Sequence, residues 1–329
     1  MEDFLAPSPR SSGQTRKIFA ALALGVSVLV AASAQQNSSP PLNIAGNMTT
    51  IELAPVLVAA NGLYRGPVTV ISGGIPNLMR GEVDAATNAE TQLLRQSVDD
   101  PSLRIVLTEA ESFYRIVARR SAGISSVKDL RGKKIAISPH TSAHYYLVKS
   151  LALAGVEEEA VTVVPVTPIT GMSGMLKRHE VDAVAIWEPE AENSAASLGS
   201  DAVVLQDRNV YRELFNLQTS TKVLHDPAKR RALVEFLKAL MAASVSLREH
   251  PQELWPLLSS KLHYSEAVIA KSWPQLRYAG SIADDLLDVM VEEDRWVAKE
   301  RNRAPRSREQ LATFIDYSLL NEAKRAVTK

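Results

Sequence analysis

The sequence predicts an α/β fold of parallel sheets followed by a helical C-terminal region. Three observations carry that expectation. Short apolar runs alternate with segments of helical spacing from residue 42 to residue 205. A heptapeptide recurs, as Arg80-Gly81-Glu82-Val83-Asp84-Ala85-Ala86 and as Arg178-His179-Glu180-Val181-Asp182-Ala183-Val184. Strand signals then vanish after residue 226, while helical periodicity continues to the end of the chain.

The chain opens on a stretch that reads as a secretory signal. Arg10, Arg16 and Lys17 form a positive region, residues 18–30 are almost wholly apolar, and Ala32-Ser33-Ala34 makes a cleavage-site pattern before polar residues. Residues 1–34 are therefore expected to be removed on export to the periplasm. A retained membrane anchor is the other reading of the same run, which is short for a span. No later apolar run is long enough to suggest one, so the remainder is expected to be soluble.

The elements then come in order. Runs at 42–45, 68–71, 83–86, 104–107, 134–137, 161–164, 183–186 and 203–205 read as buried strands. Residues 143–154 read as a helix, with Leu147, Leu151 and Ala154 at i, i+4 and i+7 and Gly155 as the stop. His225–Pro227 reads as a turn before a long helix ending near Leu247. Further helices are expected near 264–273, 281–299 and 307–323.

The heptapeptide echo suggests a duplicated α/β unit, since each copy closes a helix and leads into a strand. Ligands of open α/β sheets lie outside the carboxyl ends of the strands. Residues 87–91 and 187–190 should therefore line a shared cleft.

Composition narrows the function. Thirty-seven Lys and Arg balance 37 Asp and Glu, giving no electrostatic case for nucleic acid or an anionic membrane surface. The chain has no cysteine, which removes disulfides and thiolate metal sites. No nucleophile elbow, P-loop or full dinucleotide fingerprint is present, so no catalytic residue is assigned.

Candidate binding residues sit where strands end. Ser138-Pro139-His140-Thr141-Ser142 follows a strand and opens the helix at 143–154, with Thr141 or Ser142 as N-cap. Such a helix start can hold sulfonate, phosphate or carboxylate oxygens, or can simply be a cap. His140 and His144 have a chelating spacing, but no third ligand is in view, so no metal is assigned. His144 reads either as a hydrogen-bond donor at the cleft or as a packed residue. Trp187 at a strand end favours the ligand wall. Glu188 would repel a bare anion and suit a ligand that also carries an amine. Ser72-Gly73-Gly74 reads as an anion-cradling turn or an ordinary loop. Glu109 and Glu111 are expected at solvated or hinge positions.

Together, the run from Val127 to Ala136, Ser142-Ala143-His144, the run from Glu180 to Pro189 and residues 82–91 resemble the nitrate/sulfonate/taurine-binding proteins of ABC importers. The resemblance spans roughly residues 42–250. It implies a type II periplasmic-binding-protein fold, with two α/β lobes, a hinge and closure on a ligand. The implied lobes are 42–113 plus 222–329, and 114–221, with crossings near 113–119 and 205–221. By resemblance, binding positions fall at Met48, Thr49, Ser72, Gly73 and Asn88 in the first lobe. In the second they fall at Thr141, Ser142, His144, Trp187 and Glu188, with Tyr114 at the hinge. The short bridge Arg65-Gly66-Pro67 and the single helical turn available between Gly74 and Gly81 depart from the family pattern near Ser72 and Gly73. His140 stands where a small residue is usual.

The expected role is capture of a small organic anion or zwitterion, sulfonate- or taurine-like, by a monomer that docks on ABC permease subunits and needs no cofactor. Alternatives are nitrate or a thiamine-pyrimidine precursor as the solute, a ligand-sensing module, or an enzyme like the pyrimidine synthase of related fold. That synthase carries a cysteine-rich motif which this chain lacks.

Overall fold

A computed structural model describes residues 40–327 of the chain, with the side chain of Val327 left aside. The expected leader at residues 1–34 lies outside the described residues. Two sheets form the framework. The first contains β1 at Leu42–Gly46, β2 at Val68–Ser72, β3 at Ala85–Ala89, β4 at Leu103–Ser112, β10 at Glu213–Ser220 and β11 at Leu276–Arg277, in the order β11-β4-β10-β3-β1-β2. The second contains β5 at Arg115–Arg119, β6 at Lys134–Ile137, β7 at Thr162–Pro165, β8 at Ala183–Ile186 and β9 at Ala202–Leu205, in the order β7-β6-β8-β5-β9. Each sheet carries its own buried apolar cluster, and Trp296 packs against both. This is the expected α/β architecture of two lobes with a helical C-terminal region.

The sequence echo is a structural one. β1 pairs with β3 in the first sheet, and β6 pairs with β8 in the second, both in parallel. Asp84 Oδ2 accepts from the Asn43 amide at 2.9 Å, while the Asp84 amide donates to Asn43 O at 2.8 Å. Asp182 repeats this with Lys134 at 2.9 and 2.8 Å. Gly81 and His179 both adopt a left-handed backbone, at φ 73° and 62°, closing the preceding helix. Arg80–Glu82 and Arg178–Glu180 form matching exposed ion pairs at 2.7 Å.

Two strands stand where crossings were expected. β5 and β10 are buried along their whole length and run antiparallel to their neighbours. β10 bonds to β3 and β4, so Glu213–Ser220 belongs to the first sheet although it falls inside the expected 114–221 segment. The return crossing accordingly spans residues 206–212. Arg115, Arg119, Asn216 and Gln218 disguise both strands, because central antiparallel strands here carry polar side chains that meet partners from distant elements. β3 also begins two residues later than the apolar run at 83–86, because Asp84 is committed to β1.

The long helix Pro227–Glu249 starts on Asp226, whose carboxylate accepts from the amides of Ala228 and Lys229 at 2.8 and 3.1 Å, with Pro227 in the first turn. Leu233, Phe236, Leu237, Leu240 and Leu247 are fully buried at helical spacing on its inner face. Helix Pro251–Leu262 is masked in the sequence by Pro256, which lies inside it. The segment at 307–323 is two helices, Arg308–Ala312 and Ser318–Val327. No helix among the described residues is long and apolar enough to cross a membrane.

Candidate functional site

The carboxyl ends of β1, β3, β6 and β8 bring polar residues from both lobes into direct contact. Thr50 Oγ1 donates to Glu188 O at 3.2 Å, and Gln92 Nε2 donates to His140 O at 2.8 Å. Ser142 Oγ donates to Glu213 Oε1 at 3.2 Å. Tyr114, placed between β4 and β5, bonds through its hydroxyl to Ser142 Oγ at 2.8 Å. Its ring lies 6.0 Å from Tyr146, 6.1 Å from Trp187 and 5.8 Å from Tyr211.

Four carboxyl groups run through this contact. Glu52, Glu90, Glu213 and Glu293 are each at most 2% exposed. Glu213 faces Glu52, and Glu293 faces Glu90, each pair at hydrogen-bonding range. Burial pushes Glu213 well above the usual carboxylate range, and the charge of Glu52 adds to it. Burial, reinforced by Glu90, does the same to Glu293, and burial also raises Glu90. Two carboxylates in one low-dielectric site cannot both ionise cheaply, so burial and the neighbouring carboxyl together favour the neutral form of Glu213 and of Glu293. Tyr211 donates to Glu90 Oε1 at 2.6 Å and the Leu214 amide donates to Glu90 Oε2 at 3.0 Å. Glu52 Oε1, Glu213 Oε2 and both oxygens of Glu293 are buried without a well-formed hydrogen bond, with Tyr114 facing Glu213 and Tyr211 facing Glu293. The nearby strands add Thr87 Oγ1 and Gln218 Oε1, also buried and unpartnered. Each such group costs about 1–3 kcal/mol if it stays unsatisfied. The arrangement is therefore rich in acceptors and poor in donors.

A donor set lies beside it. Helix Ser142–Leu153 begins at Thr141, which is extended and makes no side-chain cap. Its hydroxyl donates to Ser138 O at 2.8 Å, contrary to the capping role expected for it. The amides of Ser142, Ala143 and His144 thus have no acceptor among the described groups, leaving the positive end of the helix free. The Trp187 indole N–H is likewise buried and unpartnered.

Of the expected residues, the structure brings Tyr114, Ser142 and Trp187 together. Glu188 is next to them but is already engaged. Its carboxylate accepts from Arg115 Nε at 2.7 Å, with Arg115 Nη2 at 2.5 Å, and from Ser272 Oγ at 3.1 Å. It forms a buried ion pair rather than a free partner for a ligand amine, because Arg115 on β5 reaches it from the adjacent strand. Burial raises its pKa and Arg115 opposes that rise. Thr49 bonds through its amide and hydroxyl to Asn47 Oδ1 at 2.9 and 2.7 Å, and Met48 packs on the first core. Ser72 is exposed at the end of the edge strand β2. Gly73, at φ 155°, donates to Gly46 O at 3.0 Å, and a Cβ there would sit 2.2 Å from Asn77 Oδ1. Asn88 is half-buried and accepts from its neighbour Ala89. His144 turns to Glu158, with Nε2 at 2.8 Å, rather than to the carboxyl row. Glu109, expected at a solvated or hinge position, is fully buried in β4, where burial pushes its pKa well up.

The four row carboxyls escape a reading of the sequence, although Glu90 falls within the expected lining 87–91. Glu293 carried a signal. It shares an apolar stripe with Leu286, Met290 and Val297, where a charge is unusual.

A family profile described as NMT1/THI5 like matches residues 58–254. The chain belongs to the NMT1/THI5-like family. Solved structures share the fold of this family member at low identity. The alkanesulfonate-binding protein SsuA from Xanthomonas axonopodis pv. citri, bound to MOPS, aligns with TM-score 0.68 and 20% identity over 85% of this chain and 99% of that one. A ligand-binding component of an ABC-type import system from Staphylococcus aureus, with zinc bound, gives 0.71 and 14% over 87% and 99%. A cysteine mutant of DSZB in complex with biphenyl-2-sulfinic acid gives 0.66 and 15% over 87% and 99%. No curated protein matches the sequence significantly.

Proposed function

We propose that this NMT1/THI5-like protein is a periplasmic solute-binding protein that closes its two lobes on a small amino-sulfonate of the taurine type and delivers it to an ABC permease. The observation that carries this reading is the pairing of an acceptor-rich carboxyl row with an uncapped helix start at one interlobe contact. An ammonium group satisfies buried carboxyl oxygens that a bare sulfonate or nitrate would repel. A sulfonate suits the free amides of Ser142–His144. Export through residues 1–34 would place the protein where such a solute is met.

The aromatic wall of Tyr114, Tyr146, Trp187 and Tyr211 favours a second solute. An aminopyrimidine would lie against these rings and donate its N–H groups to the carboxyls. An enzyme that depends on a cysteine is disfavoured, because the chain contains none.

Calorimetry with taurine, propane-1-sulfonate, nitrate and an aminopyrimidine separates these readings. Taurine should bind one to one, with propane-1-sulfonate at least tenfold weaker. Binding of the aminopyrimidine alone would favour the second reading, and equal binding of taurine and propane-1-sulfonate would remove the role given to the carboxyls.

A further inference from the structure

We propose that His140, His144 and Glu300 form a divalent-metal site, suited to zinc, that clasps the two lobes together at the edge of their contact. The three ligand atoms are His140 Nδ1, His144 Nδ1 and Glu300 Oε1, and such atoms of the three residues all lie within 4.8 Å of one another. His140 Nδ1 is 3.2 Å from Glu300 Oε1, and His144 Nδ1 is 3.7 Å from the same oxygen. Ligands of a tetrahedral zinc stand roughly 3.3 Å apart, given bonds of about 2.0–2.1 Å. Small side-chain rotations therefore suffice to enclose an ion, with a fourth position left to water.

The surrounding bonds orient these atoms. Glu158 lies 2.8 Å from His144 Nε2, a contact that favours the proton on that nitrogen, while Nδ1 accepts only a long bond of 3.3 Å from the His140 amide, which a metal ion would replace. A carboxylate on the distal nitrogen is the usual way a metal-binding imidazole is fixed. Arg95 holds the other oxygen of Glu300, Oε2, at 2.5 Å, so Oε1 stays available. His140 itself adopts φ 60°, a left-handed conformation that L-residues other than Asn, Asp and His seldom take. That conformation sets its ring 6.1 Å from that of His144.

The placement gives the site a consequence. His140 and His144 belong to the turn and helix that follow β6 of the second sheet. Glu300 ends the helix Leu286–Glu300, whose Leu286, Met290 and Val297 pack into the core of the first. An ion held by all three would tie the lobes together beyond the Gln92–His140 and Lys149–Glu292 contacts, at 2.8 and 2.7 Å, that already cross there.

The test is titration of zinc alone into the tag-free chain after removal of metal with a chelator, with magnesium as the hard-cation control. One zinc should bind per chain, magnesium should not compete, and zinc should raise the unfolding temperature. His140→Ala and Glu300→Gln should each weaken binding at least tenfold and abolish the thermal shift. Glu158→Gln should weaken it about tenfold, as for other residues that orient metal ligands. His250→Ala, a remote exposed histidine, should change nothing. His140 is 58% exposed in its side chain, so its removal opens no cavity, and the unfolding temperature of the metal-free variant measures any cost of alanine in the left-handed backbone. Absence of zinc binding up to millimolar concentrations, or binding unaffected by both His140→Ala and Glu300→Gln, would overturn the proposal.

Discussion

Replacing Arg115 by Met should be among the more destabilising single changes near the interlobe contact, and increasingly so as pH rises. Arg115 places Nη2 at 2.5 Å and Nε at 2.7 Å from Glu188, and the two side chains are 9% and 1% exposed. Arg115 Nη2 also meets Glu192 at 3.2 Å. Without the guanidinium, Glu188 keeps only the Ser272 hydroxyl at 3.1 Å and the Glu192 amide at 3.2 Å, with the Glu192 carboxylate close by. Removing one member of a buried pair strands the other charge and costs about 3–5 kcal/mol. Burial already raises the pKa of Glu188 and Arg115 restrains it, so the variant should raise it further. A carboxyl with a folded-state pKa above its unfolded value loses stability as pH rises from the unfolded value, near 4.5, through the folded one. Urea denaturation should therefore show a larger deficit at pH 8 than at pH 5. Adding Glu188→Gln should recover much of the loss at pH 8. A deficit below about 1 kcal/mol at pH 8, or no recovery in the double variant, would refute the reasoning, since an uncompensated buried charge costs several times that amount and neutralising it removes the cost.

Three further outcomes follow from the same geometry. Glu293→Gln should stabilise the protein progressively above pH 4.5, because burial and Glu90 raise the pKa of this carboxyl and make its ionisation costly, and the fall of stability across pH 5–8 should flatten. Asp84→Ala and Asp182→Ala should each cost about 1–3 kcal/mol in denaturant unfolding, and the losses should add, because each carboxylate serves an equivalent backbone amide in a different sheet. Gly73→Ala should lower stability by about 1–3 kcal/mol, since its φ of 155° and the 2.2 Å approach to Asn77 Oδ1 leave no room for a Cβ.

The fold was legible where burial is local and apolar. β6 and β8 fall on the residues expected, 134–137 and 183–186, because parallel strands covered on both faces are written as continuous apolar runs. The echoed Arg-x-Glu-Val-Asp-Ala segment revealed the duplication because the same backbone contacts demand the same Asp in each lobe. β5 and β10 were not legible, since Arg115, Asn216 and Gln218 gain their burial from partners far along the chain. Arg115 and Glu188 are 73 positions apart, and only the fold shows that Glu188 is already paired. The same holds for Glu52 and Glu213, each unremarkable in sequence until β10 brings them face to face.

A crystal structure of the chain soaked with taurine tests the central claim most directly. The account predicts density between the lobes, with the ligand nitrogen within about 3 Å of the Glu52–Glu213 carboxyls and the sulfonate on the amides of Ser142–His144. A sulfonate lying against the carboxyl row, or a ligand bound away from the interlobe contact, would contradict it.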